Sequence, residues 1–147
     1  MPPELTPDQV LRVIAALEAA WADNDDALAT LMRGGPSETP LAALVAQYGA
    51  SRVQTTILVI TGITKLNGAA LDEAMAQFRQ GLVAHMTSVA LSGMSGWAAT
   101  AAEDVRATGD LARHVLRTLL SLVADGDDPE SVRALFAHLR ADAVARL

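Results

Sequence analysis

The sequence predicts an all-α fold, a compact single-domain bundle of about six to eight helices around a buried central helix at about residues 52–66. Apolar residues make up 51% of the chain and aromatic residues only 3%, and the helix formers alanine and leucine are abundant. The length of 147 residues fits one helical domain, residues 1–147. This composition indicates helices that pack closely through small side chains.

The predicted central helix depends on the stretch between Arg52 and Lys65, which contains no charged residue. At helical spacing the stretch is apolar or hydroxyl-bearing on every side, which is typical of a helix buried among others. Its Val, Ile and Thr residues also suit a β-strand, but the chain has no second stretch of this kind to pair with it. The stretch is too short for a membrane-spanning helix, which needs about 20 apolar residues.

The first two helices have clear start signals. Thr6 followed by Pro7 and Gln9 forms a capping-box pattern. Asn24 or Asp25 can cap a short second helix, which the glycine pair 34–35 is expected to end.

A third short helix is predicted after Pro40, ended by Gly49, with Ser51 as the cap of the central helix. Two helices joined at residues 49–51 permit a helix-turn-helix interpretation of residues 41–58. A DNA reader needs basic and amide side chains on its second helix, where this chain offers Arg52 and Gln54. Because the chain is also acidic, DNA binding is the least favoured hypothesis.

The fifth helix has the longest amphipathic pattern. Its apolar positions are spaced alternately by four and three residues, which gives a narrow seam suited to packing along another helix. The seam consists of Leu71, Met75, Phe78, Leu82, His85 and Val89. Glycines at 93 and 96 disfavour a continuous helix, so the sequence leaves open whether residues 71–107 form one helix or two.

Two further helices complete the predicted bundle. Residues 108–110 indicate the start of one helix, which Gly126 is expected to end. Asp128 is the predicted cap of the last helix.

Composition and motifs exclude several classes of function. The net charge of −6 disfavours nucleic acid and anionic membranes as partners. The chain has no cysteine, and its N-terminus has neither a basic region nor an apolar run, so we expect a cytoplasmic protein. No phosphate-binding loop, nucleophile elbow or dinucleotide motif occurs, and we expect no cofactor.

The histidine–aspartate pairs at helical spacing predict surface ion pairs rather than a metal site. Asp110 lies four residues before His114, and Asp142 lies four residues after His138. Such pairs are common and weak, and neither belongs to a zinc-binding motif.

These exclusions favour a non-enzymatic interaction or regulatory module that pairs with its own copy, as a homodimer, or with another protein. Small residues every four positions let two helices approach closely, and exposed large apolar groups mark contact sites. The predicted interface is Ser88, Ser92, Met94, Gly96 and Trp97.

An alternative from a different class is a small-molecule-binding or catalytic helical protein. Its apolar pocket would lie near His85, Met86 and Trp97, where one histidine on an apolar seam could bind a ligand or transfer a proton. A lined cavity beside His85 would favour this alternative, and a closed core would exclude it.

Overall fold

A computed structural model describes residues 4–34, 38–101, 103–123 and 128–147, and within these residues it contains seven α-helices, one 3₁₀ turn and no strand. The helices are α1 (Pro7–Trp21), α2 (Asp25–Met32), α3 (Leu41–Ile60), α4 (Gly68–Gln80), α5 (Leu82–Ala101), α6 (Val105–Val123) and α7 (Pro129–Ala145), and the 3₁₀ turn covers Ile63–Lys65. The all-α prediction is confirmed.

The predicted caps of α1 and α2 are confirmed. The Gln9 amide donates to Thr6 Oγ1 at 3.2 Å, while the Thr6 amide donates to Gln9 Oε1 at 2.9 Å, so both arms of the capping box form. Asn24 caps α2 by accepting from the Ala27 amide at 3.0 Å. The helix ends at Met32, and the second glycine of the pair at 34–35 lies outside the described residues.

The prediction of two helices between residues 41 and 60 is wrong, because α3 continues through Gly49 and Ser51. Gly49 is buried where α3 crosses α6, and a Cβ at this position would lie 2.7 Å from Val115 Cγ2. The glycine therefore permits a close helix crossing and does not end a helix. Residues 41–58 lack the turn that a helix-turn-helix motif requires.

The hydrophobic core is formed by α1, α2, the first half of α3, the end of α5, α6 and α7. Its largest fully buried side chains include Ile14, Leu17, Leu28, Leu44, Met94, Leu111, Leu116 and Leu139.

The buried helix in this region lies earlier in the chain than the predicted central helix at about residues 52–66. The buried part of α3 runs from Leu41 to Val53, and Ile60 near its end is 60% exposed. A lack of charge permits burial, but neighbouring helices enclose only the first half of α3.

The chain between α3 and α6 also differs from the prediction. Gly62 follows α3 in a left-handed conformation with φ of 77°. The predicted seam is divided at Gly81, whose extended backbone, with ψ of 161°, ends α4. Helix α5 then runs unbroken through the glycines at 93 and 96, which lie on its exposed side. Residues 71–107 therefore contribute to three helices.

The start of α6 lies earlier than predicted. Asp104 Oδ1 accepts from the Ala107 amide at 3.0 Å, and Thr108, predicted to start a helix, is buried inside α6. The predicted stop at Gly126 falls in residues 124–127, outside the described residues. The predicted cap of α7 is confirmed, since Asp128 accepts from the Ser131 amide at 3.1 Å.

Candidate functional site

The part of the chain from residue 54 to residue 93, which we name the outer segment, is nearly without buried residues. All of its residues are described, and Ile63 is the only one that is buried. Helix α4, which lies wholly inside it, has no buried residue. Large apolar side chains are instead exposed to solvent, namely Val59, Ile60, Leu66, Leu82, Val83, Met86 and Val89.

The outer segment is electrically neutral. Its charged residues are the basic Lys65 and Arg79 and the acidic Asp72 and Glu73, which cancel, so the net charge of −6 is carried by the rest of the chain. Helix α5 contains no Asp, Glu, Lys or Arg from Leu82 to Ala101. An apolar surface of this kind lacks the charges that usually cover an exposed helix.

Helix α5 presents two different sides. Met94, Ala98 and Ala101 bury one side in the core. A second side carries exposed residues spaced three or four apart, with Leu82 and Val89 each 74% exposed. We name this side the apolar stripe, and it consists of Leu82, Val83, Met86, Val89, Ala90, Gly93 and Trp97.

The structure separates the five residues of the predicted interface. Ser88, Ser92 and Gly96 are exposed along a face of α5 beside the apolar stripe. Met94 is only 2% exposed and packs in the core, so no partner can reach it in this fold. Trp97 is 36% exposed at the end of the stripe, where its ring centroid lies 5.5 Å from that of His114 in α6.

The residues of the predicted ligand pocket are not brought together. His85 is exposed, and its Nδ1 lies 2.8 Å from the Gly81 carbonyl oxygen, which can only accept, so Nδ1 carries the proton. Met86 is 63% exposed on the apolar stripe. Trp97 lies twelve positions after His85 on the same helix, about 18 Å along its axis at 1.5 Å per residue. These three side chains therefore do not enclose one cavity.

A solvent-open cleft of about 510 Å³ lies elsewhere, between α3, α6 and α7. Its apolar wall includes Leu119 and Val123 of α6 with Leu135 and Leu139 of α7. Its polar side chains are Arg52, Thr56, Asp128, Ser131 and His138. The sequence does not indicate this cleft, because its walls combine α3 with α6 and α7, which lie far from α3 along the chain.

A charged cluster holds the polar side of the cleft. Arg52 Nη1 donates to Asp142 Oδ2 at 2.8 Å, and the same oxygen lies 3.3 Å from Arg146 Nη2. Arg52 Nη2 lies 3.5 Å from His138 Nε2, and since an arginine can only donate, Nε2 is the acceptor in this contact. Burial raises the pKa of the neighbouring Tyr48 hydroxyl, and the positive charge of Arg52 opposes that rise.

The predicted histidine–aspartate ion pairs do not form, because each carboxylate takes an arginine instead. Asp142 pairs with Arg52, ninety positions away along the chain, rather than with His138. Asp110 pairs with Arg113 at 2.7 Å, and His114 lies against Trp97.

Among the described residues, no three histidine, aspartate or glutamate side chains converge as metal ligands. The same residues include no helix with the length and apolar character needed to cross a membrane. Comparison of the chain with protein-family models, with curated proteins and with solved structures finds no match.

Proposed function

We propose that this protein is a non-enzymatic helical module for protein–protein interaction that self-associates through the outer segment. The observation that carries the proposal is the burial pattern of residues 54–93, all described, in which Ile63 is the only buried residue. A folded monomer rarely exposes a large contiguous apolar surface unless that surface contacts a partner.

The exposed area of the chain supports a missing contact. A compact monomer of 15.4 kDa is expected to expose about 7,200 Å², whereas this chain exposes 8926 Å². The excess of roughly 1,700 Å² exceeds the approximately 800 Å² that each partner contributes to an interface of standard size. The excess over the whole chain is therefore large enough for one dimer contact.

The charge distribution favours a second copy as the partner. A two-fold contact places the same surface patch on both subunits, so any charge in the patch would face its own kind. The outer segment has zero net charge and α5 has no acidic or basic side chain, whereas the rest of the chain carries the full −6. Two copies that meet through their outer segments thus keep their acidic parts outside the contact.

The apolar stripe on α5 is the proposed centre of that contact. Gly93 lies between Val89 and Trp97 on the stripe, and a Cβ built at Gly93 would meet no atom within 4 Å. Small residues at 90 and 93 allow a second helix to approach the backbone, and the larger side chains on either side can pack around it. Of the interface residues that the sequence predicts, Trp97 lies on the stripe and belongs to the proposed contact, whereas Met94 is buried in the core and does not.

A cytoplasmic location is part of the proposal. A chain without cysteine needs no oxidising compartment to fold, which supports this location. The acidic remainder of the chain supports a protein partner over nucleic acid.

The test is the mass of the protein in solution, measured by size-exclusion chromatography with light scattering. The parent should have twice the chain mass of 15.4 kDa. Val89→Glu should be monomeric with unchanged helical circular dichroism, because it places a charge in the stripe. Val144→Glu is the matched control, since Val144 is also exposed but lies on α7, and this variant should remain dimeric. A monomeric parent, or a Val89→Glu protein of unchanged mass, contradicts the proposal.

A second pair of variants distinguishes the two exposed faces of α5. Gly93→Arg places bulk and charge on the apolar stripe, and Gly96→Arg places the same group on the face with Ser88 and Ser92; neither glycine has an atom within 4 Å of its built Cβ. We expect Gly93→Arg to split the dimer and Gly96→Arg to leave it intact. The reverse result would move the contact to the small-residue face.

A further inference from the structure

We infer that the cleft between α3, α6 and α7 binds a small amphipathic molecule with an apolar body and a carboxylate head group. The lining residues of this site share no member with the apolar stripe, and the inference does not depend on self-association. It follows from the volume of the cleft, from its apolar wall and from the charged cluster at its polar side.

The cleft has the size and the lining of a ligand site. Its volume of about 510 Å³ falls in the range of roughly 300–1,000 Å³ that small-molecule pockets occupy. Leu119, Leu135 and Leu139 supply an apolar wall, and these side chains are also part of the core, so the wall is held in place by packing. A few polar groups beside an apolar wall are what orients a bound molecule.

The hydrogen-bond donors of Arg52 favour an anionic head group. Arg52 belongs to the cleft lining, whereas Asp142 and Arg146 lie beside it without lining the cleft. Arg52 lines the cleft with a side chain that is 13% exposed; its Nη1 donates to Asp142 at 2.8 Å and its Nη2 lies 3.5 Å from His138. A guanidinium has five N–H donors in a planar fork that suits a carboxylate. The donors of Arg52 are therefore not saturated by Asp142 and His138.

The other charged group of the cleft is partly engaged by its own helix. Both carboxylate oxygens of Asp128 accept hydrogen bonds from Ser131, Oδ1 from the hydroxyl at 2.7 Å and Oδ2 from the amide at 3.1 Å. Asp128 thus serves as the cap of α7. The N–H groups of Arg52 that are not engaged by Asp142 match the oxygens of a carboxylate.

The test is isothermal titration calorimetry of the full chain with three probes of equal chain length: octanoate, 1-octanol and octylamine. We expect octanoate to bind at least tenfold more tightly than 1-octanol, and octylamine to show no saturable binding. Equal binding of octanoate and 1-octanol overturns the assignment of a carboxylate head group. Absence of saturable binding by all three probes overturns the site.

Two matched variants locate the binding. Ala134 lines the cleft and is exposed, so Ala134→Trp fills the cleft without removing a core contact, and it should abolish octanoate binding. Ala137 is also exposed on α7 but is not part of the cleft lining, so Ala137→Trp should bind octanoate as the parent does. Unchanged binding in Ala134→Trp overturns the inference, because octanoate would then occupy another surface.

Val89→Glu separates this inference from the proposed self-association. The variant alters the apolar stripe, none of whose residues lines the cleft, so its affinity for octanoate should equal that of the parent whatever its mass. Loss of octanoate binding in Val89→Glu would show that the probe binds the outer segment, and would overturn the assignment to the cleft.

Discussion

Replacing Gly49 with alanine should weaken the packing of α3 on α6. A Cβ at this position would lie 2.7 Å from Val115 Cγ2 and 2.9 Å from Val115 Cγ1. Carbon atoms in contact prefer about 3.5–4.0 Å, so the overlap is about 1 Å. Val115 cannot rotate away easily, because a β-branched side chain in a helix has one strongly preferred rotamer. Overpacking of this kind costs about 1–3 kcal/mol.

A matched glycine isolates the cost of the overlap. Alanine is favoured over glycine inside a helix by about 1 kcal/mol, and this gain applies equally to Gly49→Ala and to Gly96→Ala. Gly96 also lies within a helix, but its Cβ would meet no atom within 4 Å. The free energy of unfolding of Gly49→Ala should therefore fall below that of Gly96→Ala by about 1–3 kcal/mol, the cost of overpacking.

Urea denaturation followed by circular dichroism measures this difference, with the slope of the transition as a check that both variants unfold alike. Removing the opposing methyl groups gives an independent test. In the double variant Gly49→Ala with Val115→Ala, the penalty of Gly49→Ala should largely disappear, because neighbouring substitutions that share a contact are not additive. If Gly49→Ala is as stable as Gly96→Ala, the close crossing of α3 and α6 is refuted.

The other predictions concern stability and use the same assay. Asp142→Asn should lower the free energy of unfolding by roughly 1–2 kcal/mol, because it weakens the partner of the largely buried Arg52. Arg146→Gln should change it by less than about 0.5 kcal/mol, because the Arg146 side chain is 65% exposed. Equal effects of the two substitutions would contradict this. Asp128→Ala should reduce stability at neutral pH. Hydrogen bonds from Ser131 lower the pKa of Asp128 below 3.8, so its stabilising effect is present above pH 3.8 and is lost as the pH falls through the folded-state pKa. A deficit of Asp128→Ala that grows as the pH is lowered below 3.8 would refute this sign. Leu44→Ala should lower the free energy of unfolding by about 2–5 kcal/mol, because Leu44 is 1% exposed. Ile60→Ala should lower it clearly less, because Ile60 is 60% exposed. Equal effects would show that the end of α3 is buried.

Local sequence signals were reliable where the physical cause was local. The capping box of α1, the cap of α2 by Asn24 and the cap of α7 by Asp128 each involve groups within three residues of one another. Hydrogen bonds over that distance depend on the residue types and their spacing, and hardly on the rest of the fold. The sequence could therefore predict them.

Glycine was the main source of error, because its role depends on what lies next to it. The sequence predicts a helix stop at Gly49, but this glycine lies inside α3 at a helix crossing, and Gly93 and Gly96 lie inside α5. Gly81, where the sequence predicts a continuous seam, separates α4 from α5. A glycine permits both a break and a close approach, and only the neighbouring helix decides between them.

The sequence by itself determined an all-α chain, the caps of three helices and the uncharged stretch between Arg52 and Lys65, because composition, capping and charge are properties of residues and their near neighbours. Only the tertiary structure decided which parts of α3 and α5 are buried. The part of α3 from Leu41 to Val53 and the end of α5 entered the core, and the outer segment between them remained exposed. It also decided that Arg52 pairs with Asp142 across ninety positions beside a cleft. The physical reason is that burial and long-range ion pairs depend on which helices become neighbours.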